Sequence, residues 1–156
     1  LNKKEVSKKS WKPKTKTKLM MKKRDFYVEI SEEYNPPNTH GIYFLYNENK
    51  ELEYIGKSTN LANRIQTSAM ESGSIYARYI ETKTLADMHI MEIYFIGKYK
   101  PIKNYDSKSE DEITFEINEY SENDMSDYFK VLNITGKIEW KSIDKRKQNL
   151  DLFFEL

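Results

Sequence analysis

The sequence has no cysteine, which excludes disulfide bonds, thiolate metal sites and cysteine nucleophiles. It also lacks an apolar run close to the roughly 18 residues of a membrane-spanning helix, and no signal-peptide pattern is present. Alanine is scarce beside lysine, asparagine and isoleucine, a composition that indicates an AT-rich bacterial or phage genome. We therefore expect an intracellular, cytoplasmic protein with no membrane partner.

The 156 residues suit one domain of ordinary size, or a smaller domain with appendages. Aromatic residues make up 13% of the chain, and twelve of them are tyrosines. Tyrosine can pack in a core, donate a hydrogen bond or stack on a base. Composition alone therefore leaves both structural and functional roles open for these side chains.

A formal net charge of +1 hides an uneven distribution of charge. Residues 1–24 hold eleven lysines and arginines against one acid, and a basic arm without periodicity is expected to be flexible. It could bind the phosphates of a nucleic acid with salt-dependent affinity, or serve only as a solubilising tail. The residues of this arm that we assign to nucleic-acid binding are Lys12, Lys14, Lys16, Lys18, Lys22, Lys23 and Arg24.

Two runs of strand-forming residues, Gly41–Tyr46 and Glu53–Ile55, flank a polar turn and predict a β-hairpin. Gly56 is expected to break the second strand. A short strand is also predicted for residues 26–30, and the alternating pattern of residues 75–80 predicts another.

Two helices are predicted after the hairpin. Thr59 or Asn60 would cap the first, in which Leu61 and Ile65 face inward. Thr82 or Thr84 would cap the second, which lies within residues 85–99 and ends near Gly97, although the apolar run within it would also suit a buried strand. Its length and its cap favour the helix.

The chain turns acidic after residue 105, with nine acids against one lysine up to residue 127. There we predict a strand at Ile113–Ile117 and a helix at Asp124–Leu132, then a further strand and a short helix. This acidic part could be a partner or dimer surface, an autoinhibitory segment or a solvated extension.

Glu92 lies within an apolar segment, and at helical spacing it shares a face with Leu85 and Phe95. A carboxylate is rarely buried without a partner, because removing its charge from water is costly. A metal cation could compensate the charge. Alternatively, Glu92 pairs with Arg64 or Arg78 in a structural salt bridge, or reaches solvent.

One carboxylate without a cysteine or histidine cluster suits a hard cation such as Mg²⁺ or Mn²⁺, held mainly by water and phosphate oxygens. Phosphodiester hydrolysis needs charge stabilisation, an activated water and help for the leaving oxygen. A cation on Glu92 and the guanidinium of Arg64 would supply the first of these. Tyrosine, with an ordinary pKa of about 10, is a poor base unless Lys57, Arg64 or the metal lowers its pKa.

Several elements in order resemble the GIY-YIG nuclease superfamily over about residues 39–105. They are Gly-Ile-Tyr at 41–43, Tyr-Ile-Gly at 54–56, then Arg64, then the Glu92 helix with the ending Tyr-Lys-Pro-Ile-Lys-Asn. The resemblance implies an α/β (α+β) fold, a small three-stranded antiparallel sheet flanked by helices. The basic N-terminal arm and the acidic C-terminal extension would be appendages of this domain.

The resemblance also implies roles for individual side chains. Tyr43 would be the general base or would position the water, and Tyr54 would be the second active-site hydroxyl. Arg64 would stabilise the phosphorane or the leaving group, and Glu92 would bind a single divalent cation. Asn104 would brace the site from behind.

The remaining candidates are a lysine, two histidines and an arginine. Lys57 follows the second motif, where it could lower a tyrosine pKa and contact nucleic acid or be a surface lysine. Many members have a histidine at the position of Ser68, and His40 or His89 could replace it. Arg78 lies on a predicted strand near the site and is assigned to nucleic-acid binding.

The resulting interpretation is a metal-dependent endonuclease that hydrolyses phosphodiester bonds in DNA with one Mg²⁺ or Mn²⁺ ion; RNA stays open as a substrate. The domains would be a basic arm at 1–24, a nuclease domain at 25–106 and an acidic extension at 107–156. Cutting both strands would call for a homodimer or two successive events. The alternative is a non-cleaving nucleic-acid-binding or regulatory protein that retains the fold.

Overall fold

The computed structural model describes residues 19–21, 26–105 and 110–137. The predicted basic arm therefore lies outside the described residues except for 19–21, as do the elements predicted after residue 137. The described elements in chain order are β1 (Leu19–Met21), β2 (Phe26–Ile30), β3 (Gly41–Tyr46), β4 (Leu52–Ser58), α1 (Leu61–Ser72), β5 (Tyr76–Glu81), α2 (Leu85–Tyr99), a 3₁₀ turn (Glu122–Asp124), β6 (Phe129–Lys130) and β7 (Leu132–Lys137).

The chain divides into two compact units. One unit spans Glu33–Val131, and the other contains the residues on either side of it. In the latter, β1, β2 and β7 form an antiparallel sheet in the order β1-β2-β7. Val28 and Leu132 in this sheet are fully buried, and the strand predicted at residues 26–30 is confirmed.

The unit Glu33–Val131 contains a second antiparallel sheet, with strand order β4-β3-β5-β6. The three predicted strands are confirmed, and the two-residue β6 adds a fourth to one edge. The expected break at Gly56 is wrong, because β4 continues through this residue to Ser58. Gly56 stays in register opposite Tyr43 and takes part in the ladder.

Both predicted helices are confirmed, and capping side chains fix where they begin. The Asn60 side chain accepts from the Asn63 amide at 3.2 Å and starts α1. Thr84 accepts from the Asp87 amide at 3.0 Å and starts α2. Since these side chains satisfy amides that have no partner inside the helix, the chain turns helical where the sequence predicts. Gly73, with φ of 75°, ends α1 in the left-handed region that suits glycine.

The two helices cover opposite faces of the sheet. Alternate residues of a strand point to opposite sides, and Phe44 packs toward α2, where its ring meets Phe95 edge-on at 5.4 Å. Tyr43 points toward α1. The prediction that Leu85 shares the buried face of α2 is wrong, because its side chain is 50% exposed at the first turn.

Residues 110–131 extend over the core instead of forming the predicted elements. A strand at Ile113–Ile117 would place residue 115 on the same side as its two ends, yet Phe115 is 62% exposed while the two isoleucines pack on the core. The helix predicted at Asp124–Leu132 is also wrong, because only one 3₁₀ turn forms before the chain pairs with β5. Both errors arise from tertiary contacts that override local preference.

Side-chain contacts tie this acidic segment to α2. The Tyr120 hydroxyl donates to the Asp87 carboxylate at 2.6 Å and accepts from the Lys83 amide at 2.9 Å. The Lys100 ammonium donates to the carbonyls of Glu110 and Asp111. Residues 110–131 therefore belong to the same compact unit as the sheet. Within the described residues, neither helix has the length and apolar character needed to cross a bilayer.

Candidate active site

The register of the β3–β4 hairpin explains why a glycine, Gly56, lies two residues after Tyr54. Tyr43 on β3 lies opposite Gly56 on β4, and a Cβ at Gly56 would collide with the phenol ring and hydroxyl of Tyr43. Tyr43 is only 1% exposed, so its ring is enclosed by neighbouring residues. The absent side chain of Gly56 is what allows Tyr43 to lie flat across β4.

Gly41 has a comparable packing role at the start of β3. A Cβ there would meet the carbonyl oxygen of Ile80 on β5 and approach the Leu61 methyl group of α1 to 2.9 Å. The first motif glycine thus lets β3 fit between its neighbouring strand and the first helix.

The two motif tyrosines lie side by side. The ring centroids of Tyr43 and Tyr54 are 6.1 Å apart with an interplanar angle of 41°. Tyr43 is buried whereas Tyr54 is partly exposed. The pair therefore combines a tyrosine that is fixed by burial with one that is partly exposed.

The Tyr43 hydroxyl lies near two side chains of α1. It forms a hydrogen bond of 2.7 Å with the hydroxyl of Ser68, which is 4% exposed. The Arg64 guanidinium lies near Tyr43, and its interaction with this residue raises the pKa of Arg64 above its ordinary value. Arg64 and Ser68 are four residues apart and so share one helix face. The sequence marked Ser68 only as a departure from a family pattern, and the hairpin register gave no signal for its bond to Tyr43.

Contacts with the preceding loop fix the start of α1, which carries these two residues. The amides of Leu61 and Ala62 donate to the carbonyls of Thr39 and Pro37. The Tyr34 hydroxyl donates to the Ala62 carbonyl and accepts from the Gln66 amide. Burial raises the pKa of Tyr34, so this hydroxyl keeps its proton and its bridge between two turns of α1.

The electrostatics of Tyr54 differ from the sequence-based expectation. Burial raises its pKa above the ordinary value, and the charges of Tyr43 and Glu92 raise it further, while Arg64 opposes them. The expected lowering of a tyrosine pKa by nearby cations therefore does not hold for Tyr54, because desolvation is the larger effect. Tyr54 is a hydrogen-bond donor at neutral pH.

Glu92 forms an ion pair with Lys57, with Nζ and Oε1 3.4 Å apart. The side chain of Glu92 is 18% exposed and that of Lys57 is 38% exposed. The structural partners predicted for Glu92 were arginines, and the structure brings a lysine instead. Arg78 lies elsewhere, because its Nε donates to the Ser126 carbonyl at 2.9 Å and its guanidinium stacks over the Tyr128 ring.

The two histidines have other surroundings. His40 Nδ1 lies 2.9 Å from the Thr82 hydroxyl, and His89 is exposed on α2. Among the hydrogen bonds of the described residues, Tyr43 is joined to Ser68 and not to a histidine. The structure therefore places a hydroxyl, rather than an imidazole, beside the buried tyrosine.

Asn104 holds the strand that carries Tyr54. Its Oδ1 accepts from the Ile55 amide at 2.9 Å, and its Nδ2 donates to the Ile55 carbonyl at 2.8 Å. The next backbone contact is similar, since the Lys103 amide donates to the Glu53 carbonyl at 2.9 Å. Both neighbours of Tyr54 are thus bonded from outside the sheet, along the free edge of β4.

The donor set suits only one kind of cation. No three histidine, aspartate or glutamate side chains come together as a metal-binding group in the part of the chain that the structure describes. Glu92 offers a single carboxylate beside Tyr54 and Lys57. Such a site fits a hard cation that keeps most of its water and also binds phosphate oxygens, and it does not fit zinc, which prefers several nitrogen or sulfur ligands.

Comparison with known families matches residues 39–106 to the GIY-YIG catalytic domain. No curated protein matches the chain at a significant level. Among solved structures, the chain is similar to the GIY-YIG N-terminal endonuclease domain of UvrC from Thermotoga maritima, bound to its catalytic divalent cation, magnesium. The two share 23% identity over 47% of this chain and 92% of that chain, with a TM-score of 0.40.

Proposed function

Because residues 39–106 match the GIY-YIG catalytic domain, we propose that this protein is an endonuclease that hydrolyses phosphodiester bonds in DNA with one divalent cation held at Glu92. The observation that carries the proposal is that the two motif tyrosines lie side by side, with ring centroids 6.1 Å apart, and that the Arg64 guanidinium lies close enough to Tyr43 for the interaction to raise the pKa of Arg64. A buried tyrosine that serves only packing needs no cation beside it, whereas a phosphodiester site needs both groups at one point.

In this proposal the side chains divide the reaction between them. Tyr43 holds the attacking water or removes its proton, and its bond to Ser68 fixes the phenol oxygen. As the water oxygen bonds to phosphorus and the leaving oxygen departs, Arg64 donates to the oxygens on which negative charge grows. Tyr54 keeps its proton and donates to the phosphate.

Glu92 would hold the cation, Mg²⁺ or Mn²⁺. When bound, such an ion stabilises phosphate charge and acidifies its water. Asn104 contributes by fixing the backbone on which Tyr54 stands. It acts through the strand and does not touch the reacting phosphate.

DNA binding would combine the site with charges elsewhere. Lys57 and Arg64 would contact the phosphate at the cut, and the lysine-rich arm at residues 1–24 would add contacts without base specificity. We therefore expect the affinity for DNA to fall steeply as salt is raised. One active site cuts one strand per visit, so a double-strand cut would need two copies or two events.

The proposal is tested by incubating the protein with supercoiled plasmid, single-stranded DNA and RNA, with Mg²⁺, with Mn²⁺ and with chelator. We expect nicking that requires the cation, and end-mapping identifies the cut positions. Arg64→Ala and Glu92→Gln should keep binding DNA, with lower affinity, and fail to cut it. Lys83→Met, an exposed lysine on the β5–α2 loop, is the matched control and should cut normally.

The contrary result is equally clear. If the wild type cuts none of these nucleic acids with either cation, while it still binds DNA, the protein is a non-cleaving nucleic-acid-binding protein that retains the nuclease fold.

A further inference from the structure

The ion pair between Lys57 and Glu92 is loose. The distance of 3.4 Å exceeds the 2.7–2.9 Å that is typical of a charge-assisted hydrogen bond. The lysine side chain is 38% exposed, and pairs of this kind contribute little to stability. Glu92 is less exposed, at 18%, so its charge needs a partner more than the lysine does.

The same carboxylate is the proposed ligand of the divalent cation, so the exchange described next rests on the proposed function. A divalent cation and an ammonium at one carboxylate repel each other, and at short range this repulsion is large even when it is screened by water. The cation must therefore displace Lys57 from Glu92. The four-carbon stem of lysine is flexible enough for the ammonium to move without a change in β4.

We propose that Lys57 is an exchangeable counter-ion of Glu92, which neutralises the carboxylate before the cation binds and then transfers to a phosphate oxygen of the nucleic acid. The cation binds Glu92 and the phosphate binds Lys57. Once either ligand has separated the ion pair, the other binds without the free-energy cost of separating it. Linkage requires this effect to be reciprocal, so DNA tightens cation binding and the cation tightens DNA binding.

The first test measures Mn²⁺ affinity without nucleic acid, by electron paramagnetic resonance of the free ion. Lys57→Met removes the competing charge at similar volume, and it should bind Mn²⁺ about two- to fivefold more tightly than the wild type. Lys57→Gln should change the affinity in the same direction. Lys83→Met should match the wild type, and Glu92→Gln should lose the site.

Two results would each contradict the exchange, and only the second would also contradict the proposed role of Glu92 as the cation ligand. If Glu92→Gln loses the Mn²⁺ site but both Lys57 variants bind Mn²⁺ no more tightly than Lys83→Met, Lys57 does not compete for Glu92, and the proposed nuclease site stands. If Glu92→Gln binds Mn²⁺ as the wild type does, Glu92 is not the ligand, and its proposed role fails together with the exchange.

The second test measures the coupling itself. Mn²⁺ titrations are repeated with a short DNA duplex whose linkages are phosphorothioates, which slows cleavage. In the wild type and in Lys83→Met, the duplex should tighten Mn²⁺ binding about fivefold or more. In Lys57→Met, the duplex should tighten Mn²⁺ binding by no more than half of that factor. An equal gain in Lys57→Met and Lys83→Met would contradict the transfer of Lys57 to phosphate.

Discussion

At the scale of single residues, the site is organised around one hydroxyl. Tyr43 is buried, its ring fills the space that Gly56 leaves, its oxygen is bonded to Ser68, and Arg64 lies nearby. A phenol held in this way has one orientation, so its neighbours determine where its proton can go. The partner hydroxyl of Ser68 can either donate or accept, which an alanine at that position cannot do.

Replacing Ser68 with alanine should slow cleavage about 3- to 10-fold, because one hydrogen bond of about 0.5–1.5 kcal/mol is lost from the oriented Tyr43. Single-turnover rates with saturating DNA measure this effect. A double-mutant cycle distinguishes it from general damage to the helix: in a Tyr43→Phe background, Ser68→Ala should have no further effect. A further slowing of the same size in that background would show that Ser68 acts independently of Tyr43.

Two glycines allow a matched comparison of close packing. Gly56→Ala should lower the free energy of unfolding by about 1–3 kcal/mol, since the new methyl group collides with a rigid buried phenol. Gly97→Ala should cost much less, because its methyl group would meet only the flexible end of the Ile113 side chain, with Cδ1 at 2.7 Å and Cγ1 at 3.2 Å, and alanine favours helix.

Denaturant unfolding of the two variants measures the difference. Gly56→Ala should also cut DNA more slowly than Gly97→Ala, because Tyr43 is displaced. Equal stability of the two proteins would mean that the Tyr43 ring can move aside at little cost.

What the sequence could predict at this scale depends on how far apart the partners lie in the chain. The pairing of Tyr43 with Gly56 follows from the spacing of the hairpin. The sequence therefore contained a signal that Gly56 leaves space for the Tyr43 ring, although we expected this glycine to break the strand. The bond between Tyr43 and Ser68 joins a strand to a helix, and the pair of Lys57 and Glu92 joins another strand to another helix. Local pattern has no signal for either contact.

At the scale of elements, the free edge of β4 is closed by the turn that follows α2. A strand edge presents unpaired amides and carbonyls, and here Asn104 and the Lys103 amide occupy three of these groups on either side of Tyr54. The segment acts as a short substitute for a neighbouring strand. It fixes Tyr54 without covering its hydroxyl.

Asn104→Ala should therefore destabilise the protein by about 2–4 kcal/mol, because the amide and carbonyl of Ile55 both lose their partner in a buried setting. Asn104→Asp should lie between the alanine variant and the wild type, since a carboxylate can still accept from the Ile55 amide. Asn118→Ala, on an exposed residue of the acidic segment, is the control and should leave stability unchanged.

Denaturant midpoints, together with hydrogen exchange at the Ile55 amide, check this prediction. Fast exchange at Ile55 in Asn104→Ala and slow exchange in the control are expected. If Asn104→Ala protects that amide as well as the wild type does, the edge of β4 is held by other contacts.

The predicted helices and strands were correct where local caps and periodicity determine the structure. They were wrong where contacts with other parts of the fold determine it. Asn60 and Thr84 start their helices, and each is one of the two caps that the sequence offered for that helix. Residues 113–117 have strand-forming side chains but find no partner strand, because they lie across α2, where the Ile117 amide donates to the Tyr94 hydroxyl. No pattern within five residues reveals that the adjacent surface is a helix.

At the scale of the whole molecule, the compact unit is longer than the family match. The match ends at residue 106, yet Ile113, Ile117 and Tyr120 pack on the core, and β6 extends the sheet. These later residues cover one side of α2. Removing them would expose apolar surface that the described unit keeps from water.

A fragment of residues 33–131 should accordingly unfold in one cooperative thermal transition, whereas a fragment of residues 33–106 should melt at least 10 °C lower or without a cooperative transition. That shift corresponds to roughly 2 kcal/mol or more in a domain of this size, about the burial of one large side chain. Circular dichroism melts and the dispersion of amide resonances compare the two. Equal melting temperatures would show that the acidic segment is not needed for the core.

The contacts of Asn104 also set an order of events during synthesis. Asn104 and Ile55 are 49 residues apart, and at about 5–20 residues per second the ribosome needs roughly 2–10 s to make the chain between them. A hairpin such as β3–β4 forms within about 1–10 μs, so the strand bearing Tyr54 waits for seconds with its outer edge unpaired. During translation, that edge of the newly made chain is open to pairing with another chain.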